Sequence, residues 1–482
     1  IVSTAATGTT ILLQDGTYVI DAMLDFNNPQ VTLRSQSGNR DAVILDGNYV
    51  VGEVIYIDVS NAMVADLTIR KAFYHDLHAV SGADNLMIYN VKFLDARQQF
   101  VKVNSLAQVP MLNGTLACSH FELTDAGRPQ IDNVPGISDC YTGGFDAHDA
   151  NNWVVRDNVI KNIYCSGRTN VAEHGIHFWQ GGLSPLIERN ILINNSRGIG
   201  LGLIGNGITG GTIRNNFIYA NIAQYDSGIG IEDTPSVLIY HNTIYSTQGV
   251  FNVPIDLRGT LTTSTTIVRN NLHEPAISVR NGATPIVSNN VRATAGMFVN
   301  LNDANLHLLS TASSVINQGV NVGVTQDIDG DIRDTSPDVG ADEFVSGAGD
   351  TILPTVSITS PVNGAIVSVT INVNATASDN VGVAGVQFLL DGINLGSEDL
   401  VSPYSISWNT STTSNGAHTL AARARDAAGN NGFAIGVNVN VQNIVPPSCT
   451  DADLDGYNTT TGGSCGIVVD CIDSNAGINP GA

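Results

Sequence analysis

Lysine is nearly absent from this chain, with only Lys71, Lys92, Lys102 and Lys161 among 482 residues. Together with arginine the basic total is 21 against 44 acidic side chains, a net charge of −23. That balance argues against a nucleic-acid partner, because binding phosphates needs a basic face. No apolar run reaches the length of a membrane-spanning helix, so membrane insertion is not expected. Aromatic residues make up only 6%. Glutamate is scarce too, 8 residues against 36 aspartates. Short carboxylates on turns suit a loop-rich β protein and suit hard cations. The chain starts at Ile1 without a signal-like segment, which points to a processed or trimmed N-terminus. Its six cysteines fall in two groups, Cys118/Cys140/Cys165 and Cys449/Cys465/Cys471. That pattern fits disulfides and an extracellular or cell-surface location. The length allows about three domains.

What is abundant is a repeat. WVVRDNVI (153–160), LIERNILI (186–193), GTIRNNFI (211–218), VLIYHNTI (237–244), TIVRNNLH (266–273) and PIVSNNVR (285–292) align on Asn158, Asn190, Asn216, Asn242, Asn271 and Asn290. The spacings are 32, 26, 26, 29 and 19 residues. An apolar residue precedes each Asn by three positions: Val155, Ile187, Ile213, Ile239, Val268 and Val287. A second column lies upstream, where alternation sends Phe145/Ala147, Ile176/Phe178, Ile199/Leu201, Ile229/Ile231, Ile255/Leu257 and Ile277/Val279 to one face. Two short strands per repeat cannot bury that face alone. Stacked parallel coils can, with the Asn side chains forming a ladder at an inside corner. Trp153 falls in the inward phase and is expected in the core.

On these residues the chain, over about residues 8–344, resembles the right-handed parallel β-helix proteins of the pectate-lyase-like superfamily. GTTILLQDGTYVI (8–20) reads as an opening coil and QDIDGDIRDTSPDVGADEF (326–344) as the closing segment of secreted bacterial members. The superfamily spans lyases, glycosidases, epimerases, adhesins and tail spikes, so the fold leaves the function open. Within the closing segment, Asp327, Asp329 and Asp331 fit either a turn or a weak cation site.

The expected architecture is all-β: a right-handed parallel β-helix over 1–345, a linker at 346–353, an Ig-like β-sandwich over 354–443 and a short Asp/Cys-rich tail at 449–482. SDNVGVAGVQFLLDG, YSISWNTST and GAHTLAARARDAAGN resemble bacterial Ig-like domains. In the tail, Asp451, Asp453, Asp455 and the Tyr457 carbonyl match positions 1, 3, 5 and 7 of a Ca²⁺ loop. The Glu of position 12 is absent, leaving Asp470 or Asp473 to replace it. This tail resembles the Asp-rich metal-binding motif of secreted bacterial proteins, which runs on past the equivalent of Ala482.

The outward residues of the second column are Asp146/His148, His177/Trp179, Gly200/Gly202, Gly230/Glu232, Asp256/Arg258 and Ser278/Arg280. They form one strip with an acid and His end, a bare Gly floor and a charged end. His148 and His177 can act as base and acid, with Asp146 fixing a tautomer; alternatively Asp146, His148 and His177 ligate a metal with Glu173. Trp179 can stack on a sugar ring, and Arg197, Glu232, Asp256 and Arg258 can contact substrate. A structural face capped by the 101–140 insertion is the competing reading. The same register pairs Cys140 with Cys165 and leaves Cys118 unassigned. The only cations placed on the strip, Arg258 and Arg280, lie far from the His pair. With 19 basic and 33 acidic side chains in residues 1–345, a neutral glycan is favoured over a polyanion.

Two functions follow. One is a secreted or surface β-helix that binds a polysaccharide and, if an enzyme, cleaves it as a lyase or glycoside hydrolase, with the other modules serving display and Ca²⁺ binding. The other is a non-catalytic structural or adhesive fibre protein that self-associates through its coils and Ca²⁺-dependent contacts.

Overall fold

The computed structural model describes residues 2–443, apart from 107–108, 133–139, 167–170, 204, 346–352, 380–382 and 427–428. The tail with Asp451, Asp453, Asp455, Tyr457, Asp470 and Asp473 lies outside the described residues. The chain divides into two compact units between residues 349 and 350. No helix of the described residues is long and apolar enough to cross a membrane.

The first unit is built from three long parallel sheets of 11, 11 and 10 strands, each strand pairing with its counterpart in the next coil. The alignment read from the sequence is the observed register: Val155, Ile187, Ile213, Ile239, Val268 and Val287 face one another in turn. So do Phe145, Ile176, Ile199, Ile229 and Ile255. All are buried apart from Val287, in the last coil, which is 41% exposed. Trp153 is fully buried beneath Gly114, where an added Cβ would lie 2.3 Å from its ring.

Each coil has three strands rather than two. The run 153–160 is not one strand but two, Val154–Arg156 and Val159–Lys161, bent at Asp157 with φ 59°. Arg189, Asn215, His241, Asn270 and Asn289 take the same left-handed conformation one residue before each aligned Asn. The corner so formed turns the Asn inward. Asn158 Nδ2 donates to Asn190 Oδ1 at 2.9 Å, and the chain of amides continues through Asn216, Asn242, Asn271 and Asn290 at 2.8–3.0 Å.

After the last coil the chain folds back along the outside of the second sheet. Phe298, Leu306, Val315, Val339 and Ala341 pack there with Phe217, Tyr219, Tyr245 and Leu272. Asp327 is buried and accepts hydrogen bonds from the backbone N–H groups of Asp329, Asp331 and Glu343, the geometry of a turn. The second unit is a sandwich. One sheet holds Thr355–Ser360, Thr370–Ser378 and Tyr404–Asn409, and the other includes Val383–Leu390, Gly416–Asp426 and Val437–Val441. Val373, Phe388, Trp408 and Leu420 fill its core.

Candidate functional site

The third sheet carries the strip. Its central outward register runs Tyr56, His78, Lys102, Asp146, His177, Gly200, Gly230, Asp256 and Ser278, one residue per coil at about 4.8 Å spacing. Lys102 therefore sits beside Asp146, bringing a cation to the His pair that sequence reading placed only at the far end. QFVKVN (99–104) has the same alternation as GGFDAH (143–148), and Val101 and Val103 are buried like Phe145 and Ala147. That alternation is the signal that could have found Lys102.

Asp146 is buried and fully engaged. It pairs with Lys102 Nζ, accepts from Trp179 Nε1 at 2.9 Å, and lies 3.2 Å from His177 Nδ1 and 3.3 Å from His148 Nε2. Burial alone would raise its pKa, but the Lys102 charge, and after it the neighbouring His148 and His177 rings, hold it well below the usual carboxylate range. Lys102 Nζ is also 2.8 Å from His148 Nε2. An ammonium has only donors, so His148 Nε2 accepts and the ring proton is assigned to Nδ1. Trp179 stacks on His177 with centroids 5.4 Å apart and meets His148 edge-on at 4.6 Å.

The Gly floor is not bare. His174 opens the same strand, and its ring lies over Gly200, where an added Cβ would be 2.5 Å from Nε2. The His174 and His177 rings lie 4.3 Å apart, tilted 32° to one another. Burial, then His177 and Arg197, keeps the His174 pKa well below its usual value, so the imidazole is neutral. Glu173 is half-buried, with Arg197 3.9 Å away. The donor atoms of Glu173, His174 and His177 lie within 4.8 Å of one another. Of the four metal ligands offered from sequence, Glu173 and His177 lie in this group with His174, whereas Asp146 is paired with Lys102 and His148 Nε2 faces Lys102.

Toward the N-terminal end the strip continues through Tyr56, His78 and Asn104, none of them singled out from sequence. His78 contacts Asn104 Oδ1 and stands 3.4 Å from Glu53, with Tyr56 against its ring edge. At the other end Arg197 binds Asp226 at 2.6 Å, Arg258 binds Glu232 at 2.9 Å and Arg280 forks onto Asp256. These charges satisfy one another. Beside the strand ends, a cleft of about 710 Å³ is lined by Asp149, Gln180, Gly181, Gly207, Asp233 and Leu261. Cys140 and Cys165 form the expected disulfide, with Cα atoms 5.9 Å apart, and Cys118 is free.

Residues 169–313 match the family described as right handed beta helix region, and residues 354–422 match the bacterial Ig domain family. With the three parallel sheets, these matches define the chain as a right-handed parallel β-helix followed by a bacterial Ig domain. Solved structures similar to parts of it include the fibronectin(III)-like modules of Clostridium thermocellum CbhA, 28% identical over 19% of this chain and 48% of that one, TM-score 0.17. Another is the A-module of Azotobacter vinelandii mannuronan C-5 epimerase AlgE6, 13% identical over 60% of this chain and 91% of that one, TM-score 0.34. A third is the alginate lyase AlyF-OU02 in complex with G6, 12% identical over 56% of this chain and 66% of that one, TM-score 0.26. The chain spans about half the length of the first of these. No curated protein matches.

Proposed function

We propose that the protein is a secreted or surface-displayed β-helix that binds a polysaccharide along the outer face of the third sheet. On this reading it moves a proton at the carbon beside a uronate carboxylate, as a lyase or an epimerase does. The observation that carries the reading is Lys102, whose ammonium reaches both Asp146 and His148. Removing a proton next to a carboxylate needs a cation to hold the developing charge and a neutral base near it. In the free protein Lys102 spends two of its three donors on Asp146 and His148; for His148 Nε2 to take the substrate proton, Lys102 keeps Asp146 and turns from the imidazole to the ligand's carboxylate. His148 is partly exposed, and Trp179 offers an aromatic wall for a sugar ring. The preference for a neutral glycan rested on the remote cations and on the acidic excess of residues 1–345; Lys102 answers the first ground, and the second is what the test below weighs. The Ig-like unit then serves display, and the Asp-rich tail at 449–482 binds Ca²⁺.

The test is incubation with polyuronates and with neutral glycans, following unsaturated products and the uptake of solvent deuterium beside the carboxylate. Activity confined to polyuronates, and reduced roughly a hundredfold or more in His148→Ala and Lys102→Met, is expected. Wild-type turnover in both variants, or action on neutral glycans alone, would overturn the proposal.

A second reading, self-association of a structural fibre, is favoured by the last coil. Val279, Ile286 and Val287 there are 47%, 42% and 41% exposed beside unpaired strand edges. Light scattering of the chain with Ca²⁺ and with chelator tests it, and a monomer under both conditions removes it.

A further inference from the structure

We propose that Glu173, His174 and His177 form a binding site for a divalent transition-metal ion of the zinc class. Four observations converge on it. The three donor atoms lie within 4.8 Å of one another, close enough for one ion to reach all of them. His177 presents Nδ1 to Asp146 Oδ1 at 3.2 Å, which leaves Nε2 as the lone-pair nitrogen, and that Nε2 is buried without a partner among the described residues. A carboxylate behind a histidine is the usual outer support of a metal-bound imidazole. His174 is buried as well, and its Nδ1 also has no partner among the described residues. Finally, the His174 ring occupies space that only a glycine at 200 leaves open.

Two buried imidazoles 4.3 Å apart, each with a nitrogen unpaired among the described residues, are costly unless something binds them. Two imidazoles and a carboxylate suit zinc and its neighbours, whereas Ca²⁺ takes a shell of oxygens. The nearest cation, Arg197, sits 3.9 Å from Glu173 but is held at 2.6 Å by Asp226, so its charge is already matched. The site adjoins the proposed glycan face and shares Asp146 with it. Metal binding is nevertheless measurable with no glycan present, so the two proposals fail separately.

The experiment is titration calorimetry of the metal-stripped full chain with Zn²⁺, together with X-ray absorption at the zinc edge. Wild type is expected to bind one high-affinity Zn²⁺ with two imidazoles in its first shell. His174→Ala and Gly200→Ala should each weaken binding roughly tenfold or more, the second without removing any ligand. His307→Ala, at the other His and Asp cluster of the described residues, should leave this binding intact. A folded wild type that takes up no zinc, a first shell with fewer than two imidazoles, or unchanged affinity in folded His174→Ala overturns the proposal. Should both site variants fail to fold, the absorption spectrum of wild type decides alone.

Discussion

Asn190 uses both amide hydrogens and both lone pairs inside the cylinder. Its Nδ2 donates to Val155 O, Glu188 O and Asn216 Oδ1, and its Oδ1 accepts from Asn158 N and Nδ2. Asn190→Ala leaves several of these buried groups unpaired, at roughly 1–3 kcal/mol each. We expect a clear drop in the denaturation midpoint, and a smaller one for Asn290→Ala, whose position ends the ladder and is half-buried. Equal losses at the two positions would mean that the ladder is not what holds the corner. The same corner explains where the repeat is readable in the sequence. From residue 158 onward it is marked by Asn, but in the preceding coils the equivalent positions are Leu67, Val91 and Ser119. Asp66, Asn90 and Cys118 supply the left-handed bend before them. The bend is kept while the amide is not, so the early coils lack the signal, and Lys102 and His78 escape notice with them. The His174 ring over Gly200 was unreadable for another reason. It arises from a side chain of one coil reaching across to the next, which strand alternation does not describe.

The closing element, residues 298–344, is held by buried charge rather than by apolar contacts alone. Arg333 is buried and binds Glu343 at 3.0 Å, with Asn215 Oδ1 and the Gly340 and Ala341 carbonyls. His307 faces Asp329 at 2.9 Å. Burial would lower its pKa, but the Asp329 hydrogen bond and charge raise it from 6.5 to about 9. A folded pKa above the unfolded one adds stability that is complete below pH 6.5 and is lost as pH rises through about 9. Burial and like charges raise Asp342 to about 6 and Asp327 to about 7, so these groups also bind protons more readily in the folded state. Both effects have the same sign, and the element is expected to loosen as pH rises from about 4 to 9, the carboxylates acting over the lower part and His307 over the upper. Hydrogen exchange over residues 305–344, corrected for the intrinsic pH dependence of exchange, measures this. Protection that grows over that range would contradict the assignment. His307→Gln should flatten the upper half of the profile. From sequence the DIDGD run could be read only as turn or cation site. Its turn character becomes plain once Asp327 is seen accepting three backbone N–H groups.

At the scale of the molecule, the buried apolar side chains form three clusters, two within residues 2–344 and one within the Ig-like unit, with no residue in common. Each unit thus has the core it needs to unfold by itself. The stabilising devices are also separate. The Cys140–Cys165 disulfide and the Asn ladder both belong to the β-helix, as does the proposed metal site. Closing a loop of 25 residues by the disulfide contributes about 3 kcal/mol, which acts on one unit only. Heating the intact chain is therefore expected to give two calorimetric transitions. Reductant should lower one of them, and Zn²⁺ or a bound glycan should raise that same one by favouring its folded form. The other, reported by the buried Trp408, should not move under any of the three. A single cooperative transition, or a shift of the Trp408 signal with reductant, would show that the units depend on one another.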